Sequence, residues 1–241
     1  MSWAPLLMVF GALASGAPQA PAPEPLAGWA DVLAQHVDAQ GQVDFDGLRR
    51  DPRPLAAVVA SIAQVSPRSH PGRFPTKDAA KAYWLNAYNA LAMYGVVDGR
   101  VEPENKLRFF YLRKYTVGGE DMSLYALEKN IVRKLGDARV HFALNCMVRS
   151  CPRLPREPFT AERLDAQLEA AAREFLGSAR HVEVDAGERR VRVSRILDWY
   201  EDDFLAEAPS VLAYVNRYRE QEVPEDFELK HLPYDWSLNA R

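Results

Sequence analysis

The segment "KDAAKAYWLNAYNALAMYGVV", residues 77–97, sets the arrangement of the other elements. Its length and composition predict a long helix, and apolar residues occupy almost every side of that helix. A helix at the surface of a protein keeps its apolar residues on one face, whereas a helix that is apolar all round is buried. The sequence therefore predicts a central, buried helix around which the other elements pack.

Two asparagines interrupt this apolar helix. Asn86 and Asn89 are three residues apart and so share one face of the helix. Buried side-chain amides need hydrogen-bond partners, because an unpaired one costs stability. Two interpretations follow: the amides fix the backbone of neighbouring loops, or they line a polar site.

The next helical segment, "SLYALEKNIVRKLG" at residues 123–136, is amphipathic. Ser123 is a typical N-cap residue and Gly136 a typical stop signal. Glu128 falls within the apolar stripe, while Arg133 points away from it. A carboxylate on a buried face needs a partner or has a raised pKa. Glu128 is therefore either paired internally or part of a catalytic site.

The following segment, "ARVHFALN" at residues 138–145, alternates between apolar and other residues and predicts a strand. His141 and Asn145 take the same face of that strand. If the chain stays extended as far as Cys146, about 16 Å separate His141 from that cysteine. A general base acts within about 3 Å of its nucleophile, so a strand here does not make the two residues a local pair.

Both cysteines of the chain, Cys146 and Cys151, lie in the segment "NCMVRSCP". A hairpin-like loop of four residues between them would place them opposite one another, within range of a disulfide. Alternatively one of them is a nucleophilic thiol whose pKa is lowered by a cation such as Arg149. A metal site that includes His141 is a third interpretation, although the spacing matches no common zinc pattern.

The remaining patterns set the fold class. Helical stripes recur along the chain, and "HVEVDAGERRVRVS", residues 181–194, predicts a β-hairpin. Helix exceeds strand and no regular βαβ alternation is present, which indicates an α+β fold. We expect a mainly helical single domain with a small, mostly antiparallel sheet and this hairpin in its C-terminal half. The acidic segment "DWYEDDF", residues 198–204, is expected to be a solvated helical turn.

The N-terminal residues have a different character. Residues 1–16 combine an apolar run with small residues and predict a signal peptide, which implies export to the periplasm or the cell exterior. Residues 17–25 form a Pro/Ala-rich linker, and residues 26–241 are expected to form the globular domain. The apolar run is too short for a membrane span.

The composition excludes one class of partner. The 241 residues carry a net charge of −3, and the basic residues are scattered along the chain. A nucleic-acid binder would show a basic patch or stripe, so no nucleic acid is predicted as a partner. The sequence has no phosphate-binding loop or dinucleotide fingerprint, and no cofactor is predicted.

Five segments together resemble one family, the domain-of-unknown-function 547 family. They are "YWLNAYNALAMYGVV", "LYALEKNIVRKL", "RVHFALNCMVRSCPRLP", "VRVSRILDWYEDDF" and "YDWSLN", in that order, and the resemblance spans about residues 40–240. The resemblance implies that the residues typical of the family are Asn86, Asn89, Glu128, His141, Cys146 and Cys151. It also implies that relatives occur both outside and inside cells, which keeps thiol chemistry open beside a structural disulfide.

Two functional hypotheses remain. In the first, an exported domain holds a polar pocket and acts as a thiol-dependent hydrolase or acyl transferase on a small molecule or peptide. The second is a non-enzymatic module that binds a ligand or a protein and has a structural Cys146–Cys151 disulfide. The candidate catalytic residues are Cys151, Cys146, His141, Glu128 and Asn86, the candidate binding residues are Asn89, Asn145 and Arg149, and no metal ligand is predicted.

Overall fold

The structure is a computed structural model that describes residues 22–99 and 103–241. The predicted signal peptide, residues 1–16, lies outside the described residues. The described chain is 48% helical with 11% strand, so helix exceeds strand and the predicted α+β class is confirmed. The helices are α1 (Trp29–His36), α2 (Phe45–Arg50), α3 (Arg53–Gln64), α4 (Lys77–Gly99), α5 (Leu124–Asn130), α6 (Leu164–Gly177), α7 (Ile196–Trp199), α8 (Glu201–Leu205) and α9 (Val211–Asn216).

Helix α4 is the central helix that the sequence predicts. It packs against α2, α3 and α5, and its residues 82–93 are all buried. An all-round apolar helix can bury every side only when neighbours surround it. The larger of the two hydrophobic clusters therefore forms around α4, with Leu85, Leu91 and Val96 fully buried.

Helix α5 begins where the sequence predicts but ends earlier. The Ser123 side chain accepts a hydrogen bond from the backbone N–H of Ala126, which confirms it as the N-cap. The helix ends at Asn130, and a short 3-10 helix, Val132–Leu135, continues to Gly136. Gly136 has φ +69°, the left-handed conformation that terminates helices. Arg133 lies in this 3-10 helix and pairs with Asp203 (2.8 Å), contrary to the expectation that it points away.

The predicted strand at residues 138–145 is wrong, because Ala138–Phe142 form a 3-10 helix. The Asp137 side chain accepts from the backbone N–H of Arg139 and so starts a helical turn. Phe142 packs in the smaller hydrophobic cluster, whereas Val140 packs in the larger one. The alternating apolar residues of this segment therefore pack into two different hydrophobic clusters and do not mark the two faces of a strand.

Two small sheets complete the fold of residues 22–99 and 103–241. Strands β1 (Tyr115–Val117) and β2 (Glu120–Met122) form an antiparallel pair. Strands β3 (Val182–Asp185) and β4 (Arg190–Val193) form the predicted hairpin, and β5 (Glu228–His231) adds in parallel to β4. After β5, the last residues of the chain return to the loop that holds the cysteines, where Leu238 and Val148 form an antiparallel bridge.

None of the helices within residues 22–99 and 103–241 is long and apolar enough to cross a membrane.

Candidate functional site

A cavity of about 490 Å³ lies where α4, α5, the Ala138–Phe142 turn and the C-terminal segment meet. We call it the aromatic cavity, because eight of its lining residues are Phe, Tyr or Trp. The lining aromatic residues are Tyr88, Phe110, Tyr111, Tyr125, Trp199, Tyr200, Tyr234 and Trp236. The other lining residues include Lys106, Glu128, Lys129, Arg133, His141, Cys146 and Cys151.

Cys146 and Cys151 form a disulfide in the wall of the cavity, with Cα atoms 6.3 Å apart. The Asn145 side chain organises the loop between them: its amide donates to the Pro152 carbonyl (2.7 Å), and its oxygen accepts from the Met147 N–H (2.7 Å). Local side-chain bonds of this kind hold a backbone turn in one conformation. Asn145 therefore sets the path of the loop that brings the two sulfurs together.

The same loop is fixed by the C-terminal segment. The backbone N–H of Arg149 donates to the Ser237 carbonyl (2.9 Å), and the backbone N–H of Asn239 donates to the Met147 carbonyl (2.9 Å). This pairing brings Tyr234 against the disulfide, although it lies more than 80 residues later in the chain, and Trp236 packs against Tyr234 (ring centroids 4.7 Å apart). The Tyr234 hydroxyl lies 3.5 Å from Cys151 Sγ.

Glu128 provides the carboxyl group of the cavity. The hydroxyls of Tyr200 and Tyr88 donate to its two oxygens, the latter at 3.3 Å. Burial raises the pKa of Glu128, and the hydrogen bonds from the tyrosines oppose that shift. Tyr88 is nearly inaccessible to solvent, and burial raises its pKa well above the usual value. Glu128 is thus held toward its neutral form at the base of an apolar cavity.

An ion-pair chain lies beside this carboxyl group. Asp203 accepts from Nε and NH2 of Arg133 at 2.8 and 2.9 Å, and its Oδ2 lies 2.8 Å from Nε2 of His141. The hydrogen bond from His141, followed by that from Arg133, lowers the pKa of Asp203 well below the usual value. An ionised carboxylate only accepts, so Nε2 of His141 carries the hydrogen. Asp203 therefore orients the imidazole of His141.

Aromatic rings and two exposed lysines form the cavity mouth. The rings of Trp199, Tyr234 and Trp236 lie with centroids 4.7 to 5.7 Å apart. Lys106 Nζ lies 3.9 Å from the ring centroid of Trp236, which is a cation–π distance. Lys129 Nζ donates to the Tyr125 hydroxyl on the neighbouring turn of α5 (3.0 Å). The mouth is therefore aromatic and positively charged.

Four of the predicted site residues lie outside the lining of the cavity. Asn86 pairs with both backbone groups of Phe159 (2.8 and 3.0 Å), and Asn89 pairs with the Ala143 carbonyl (2.9 Å) and the Asn145 N–H (2.8 Å). These bonds correspond to the loop-fixing interpretation of the two asparagines. Asn145 is buried in its own loop, and Arg149 is exposed on another side of it.

Of the predicted residues, the structure brings together Glu128, His141, Cys146 and Cys151. Tyr200 and Asp203 were expected in a solvated turn, and this expectation is wrong for both residues because they bond to Glu128 and His141. Their spacing of three residues along a helical segment was a usable signal for a shared face.

A metal site was a third interpretation of the cysteine segment. Within the residues that the structure describes, no group of three or more His, Cys, Asp and Glu side chains is arranged to hold a metal ion.

Comparison with protein families supports the resemblance to the domain-of-unknown-function 547 family over part of the range, about residues 40–240, for which the sequence predicts it. Residues 73–176 match the family described as "Protein of unknown function, DUF547". The match contains Glu128, His141 and both cysteines, whereas the segments with Tyr200 and Tyr234 follow it. Neither a curated protein nor a solved structure matches the chain.

Proposed function

We propose, for a chain whose residues 73–176 match the DUF547 family, that it is a ligand-binding module whose aromatic cavity takes a small organic molecule or a peptide side chain. The observation that supports this proposal most directly is the cavity itself. Its volume of about 490 Å³ lies within the range of small-molecule sites. Such sites combine apolar walls with a few well-placed polar groups, as this cavity does.

The walls favour a ligand with a flat or aliphatic face. Trp199 has 43% of its surface exposed and Tyr111 has 47%, and both belong to the cluster of aromatic rings that lines the cavity. Contiguous exposed apolar patches mark interaction sites. Clustered aromatic rings stack on rings of a ligand and bury a large apolar area for little loss of conformational freedom.

The charges favour a ligand with a negative group. Lys106 and Lys129 lie at the mouth with exposed side chains, whereas Asp203 is paired to Arg133 and His141. Among the residues that the structure describes, the lining holds Lys106, Lys129 and Arg133 but only one carboxyl group, that of Glu128, so positive charge prevails in the cavity. An anionic group near the lysines and an apolar body against the rings satisfy both features.

The state of the cysteines supports a binding module over a thiol enzyme. A thiolate is the nucleophile in thiol-dependent hydrolysis, and both sulfurs of the described chain are joined in a disulfide. The disulfide also closes the wall of the cavity and fixes the loop between its two cysteines. In this proposal the Cys146–Cys151 bond has a structural role.

A thiol-dependent hydrolase or acyl transferase is the second candidate. One observation favours it: His141, oriented by Asp203, lines the same cavity as both sulfurs. In a thiol hydrolase an imidazole positioned by a carboxylate acts as the general base. This function requires the reduced protein, in which Cys146 or Cys151 would attack an ester or amide.

Binding of the anionic, aromatic dye 1-anilinonaphthalene-8-sulfonate to the oxidised protein tests the binding proposal. We expect saturable binding at one site, which Trp199→Ala weakens about tenfold because an aromatic wall is lost. Leu205→Ala is the matched control, since Leu205 is equally exposed (42%) but lies outside the cavity lining. Dye binding that is absent, or that responds equally to both variants, would contradict the proposal.

The second candidate is tested with the same protein after mild reduction. Hydrolysis of a p-nitrophenyl ester that depends on reduction and is lost in His141→Ala would favour the hydrolase. Hydrolysis at the same rate before and after reduction would contradict it.

We further propose that residues 1–16 direct export and that residues 17–25 link them to the mature domain of residues 26–241. In this proposal the Cys146–Cys151 disulfide forms outside the cytosol. The apolar run with its small residues supports this proposal, as does the disulfide, because disulfides persist in oxidising compartments. N-terminal sequencing of the protein recovered from the periplasm or the medium of an expressing bacterium tests it. A mature chain that retains residues 1–16, or that stays in the cytosol, would contradict the proposal.

A further inference from the structure

We infer that the Cys146–Cys151 disulfide is a redox-active centre that undergoes thiol–disulfide exchange with a thiol-bearing molecule in the aromatic cavity. This activity goes beyond the proposed binding function, in which the disulfide is only structural. It also differs from the hydrolase candidate, because the sulfurs exchange electrons with another thiol and no ester or amide is cleaved.

The first observation is the position of the sulfurs. Both cysteines line the cavity, but Cys146 is half-buried whereas Cys151 is only 5% exposed. Exchange requires that the incoming thiolate reach one sulfur along a free path, and access decides which sulfur is attacked. A thiolate that enters the cavity therefore reaches Cys146, and Cys151 is the sulfur that leaves.

The second observation is the set of donors around the leaving sulfur. The backbone N–H of Cys146 points at Cys151 Sγ over 3.0 Å, and the Tyr234 hydroxyl lies 3.5 Å from the same sulfur. A disulfide sulfur has no hydrogen, so both groups act as donors, and the Tyr234 hydroxyl lies nearer to Cys151 Sγ than to Cys146 Sγ (3.9 Å). Hydrogen bonds to the charged form of a group favour that form, and a thiol that ionises more readily leaves faster. The donors for the departing Cys151 thiolate are thus already in place.

The third observation is that hydrogen bonds hold the loop in addition to the disulfide. The side chain of Asn145 holds the loop from within, and backbone bonds from Arg149 and Asn239 hold it to the C-terminal segment. Reduction would therefore leave the two sulfurs close to one another. A pair that stays close in both states can be oxidised again without refolding.

The exchange proceeds in two steps. In the first, the thiolate of the incoming molecule attacks Cys146 Sγ, the Cys146–Cys151 bond breaks, and the electron pair leaves on Cys151. In the second, another thiolate, from the same dithiol or from a second thiol, attacks the sulfur of the incoming molecule in the mixed disulfide. The Cys146 thiolate leaves and takes up a proton from water. The dithiol is oxidised by two electrons and the protein disulfide is reduced by two.

The experiment uses glutathione as the probe and the full-length chain. In Cys151→Ser the remaining Cys146 thiol is expected to form a mixed disulfide with oxidised glutathione, seen as a mass increase in the intact protein. Cys146→Ser is the matched control, and because Cys151 is shielded we expect its modification to be about tenfold slower. Modification at equal rates in the two folded variants would overturn the assignment of Cys146 as the attacked sulfur.

A second measurement uses the wild-type protein, so its main result does not depend on how the two cysteine variants fold. The wild-type protein, incubated in glutathione redox buffers and then alkylated, is expected to show two free thiols at reducing ratios while its near-UV circular dichroism stays native. Tyr234→Phe is expected to slow the reduction several-fold, because one donor to the leaving thiolate is lost. A disulfide that is reduced only after denaturation would overturn the proposal of a redox-active centre. The binding proposal is tested separately, by dye binding to the oxidised protein, so the failure of one can be told from the failure of the other.

Discussion

The ring of Tyr200 stacks on the imidazole of His141, with centroids 4.0 Å apart and planes 17° from parallel. Tyr200 also donates to Glu128, and its ring lies 5.2 Å from the guanidinium of Arg133. One side chain thus contacts both the carboxyl group of the cavity and the ion-pair chain beside it. The stability of the site therefore depends on two carboxyl groups, Glu128 and Asp203, whose pKa values shift in opposite directions.

The first prediction concerns Asp203→Asn. At pH 7 we expect the free energy of unfolding to fall by about 1–3 kcal/mol, because charge-assisted hydrogen bonds to His141 and Arg133 are weakened. The folded-state pKa of Asp203 lies below its unfolded value of 3.8. Its stabilising contribution is therefore present above pH 3.8 and is lost as the pH falls through the folded-state value.

Urea unfolding at pH 7 and at pH 3 measures this dependence. The difference between wild type and Asp203→Asn should be smaller at pH 3. Asp202→Asn is the matched control, since Asp202 is adjacent and exposed. Equal losses for the two variants at pH 7 would contradict the role given to Asp203.

The second prediction concerns Glu128→Gln, with the opposite sign. The folded-state pKa of Glu128 lies above its unfolded value of 4.5, so the folded protein binds the proton more tightly. As the pH rises above 4.5, the carboxyl group of Glu128 ionises in the unfolded chain before it ionises in the folded protein, so the wild type loses free energy of unfolding. The loss is about 1.4 kcal/mol for every tenfold difference in proton affinity between the folded and the unfolded chain. Gln cannot ionise, so above pH 4.5 the variant should gain stability relative to wild type until the pH passes the folded-state pKa of Glu128.

Chemical unfolding of wild type and Glu128→Gln across that pH range measures the effect. Glu201→Gln, at an exposed position, should show no such relative gain. A pH profile of Glu128→Gln that runs parallel to that of wild type would show that the carboxyl group ionises as easily in the fold as in the unfolded chain.

Local signals predicted local structure well. The all-round apolar pattern of residues 77–97 located helix α4, and Ser123 marked the start of α5. The strand predicted around His141 was wrong. An alternation of apolar with other residues does not reveal whether the side chains face the two sides of a sheet or two separate hydrophobic clusters. Local patterns describe which residues are buried but not what covers them.

The candidate site was predicted only in part, for a related reason. Glu128 was identified as an unusual buried acid, but its partner Tyr200 lies 72 residues away in sequence. Tyr234 reaches the disulfide, and Trp236 reaches the cavity, through backbone pairing of the C-terminal segment with the cysteine loop. Nothing in either segment alone specifies that pairing, so contacts of this kind become visible only in the fold.

The third prediction tests whether Asn89, a candidate binding residue, instead fixes the neighbouring loop. Asn89→Ala leaves the buried carbonyl of Ala143 and the buried N–H of Asn145 without their partner. Because each of the two unsatisfied buried groups costs about 1–3 kcal/mol, we expect a loss of about 2–6 kcal/mol in the free energy of unfolding. Urea unfolding measures it, with the exposed Asn130→Ala as the control. A stable Asn89→Ala protein would contradict the loop-fixing role of Asn89.

The last prediction concerns removal of the disulfide. The bond joins residues that are only five apart in sequence, so it constrains the unfolded chain little, and the chain-entropy relation gives a contribution of about 2 kcal/mol. The double variant Cys146→Ala/Cys151→Ala should therefore still fold, because Asn145 and the C-terminal segment hold the loop independently. Urea unfolding of the oxidised wild type and of the double variant measures the difference. Failure of the double variant to fold would show that the disulfide, and not the hydrogen bonds around it, holds the C-terminal segment against the cavity.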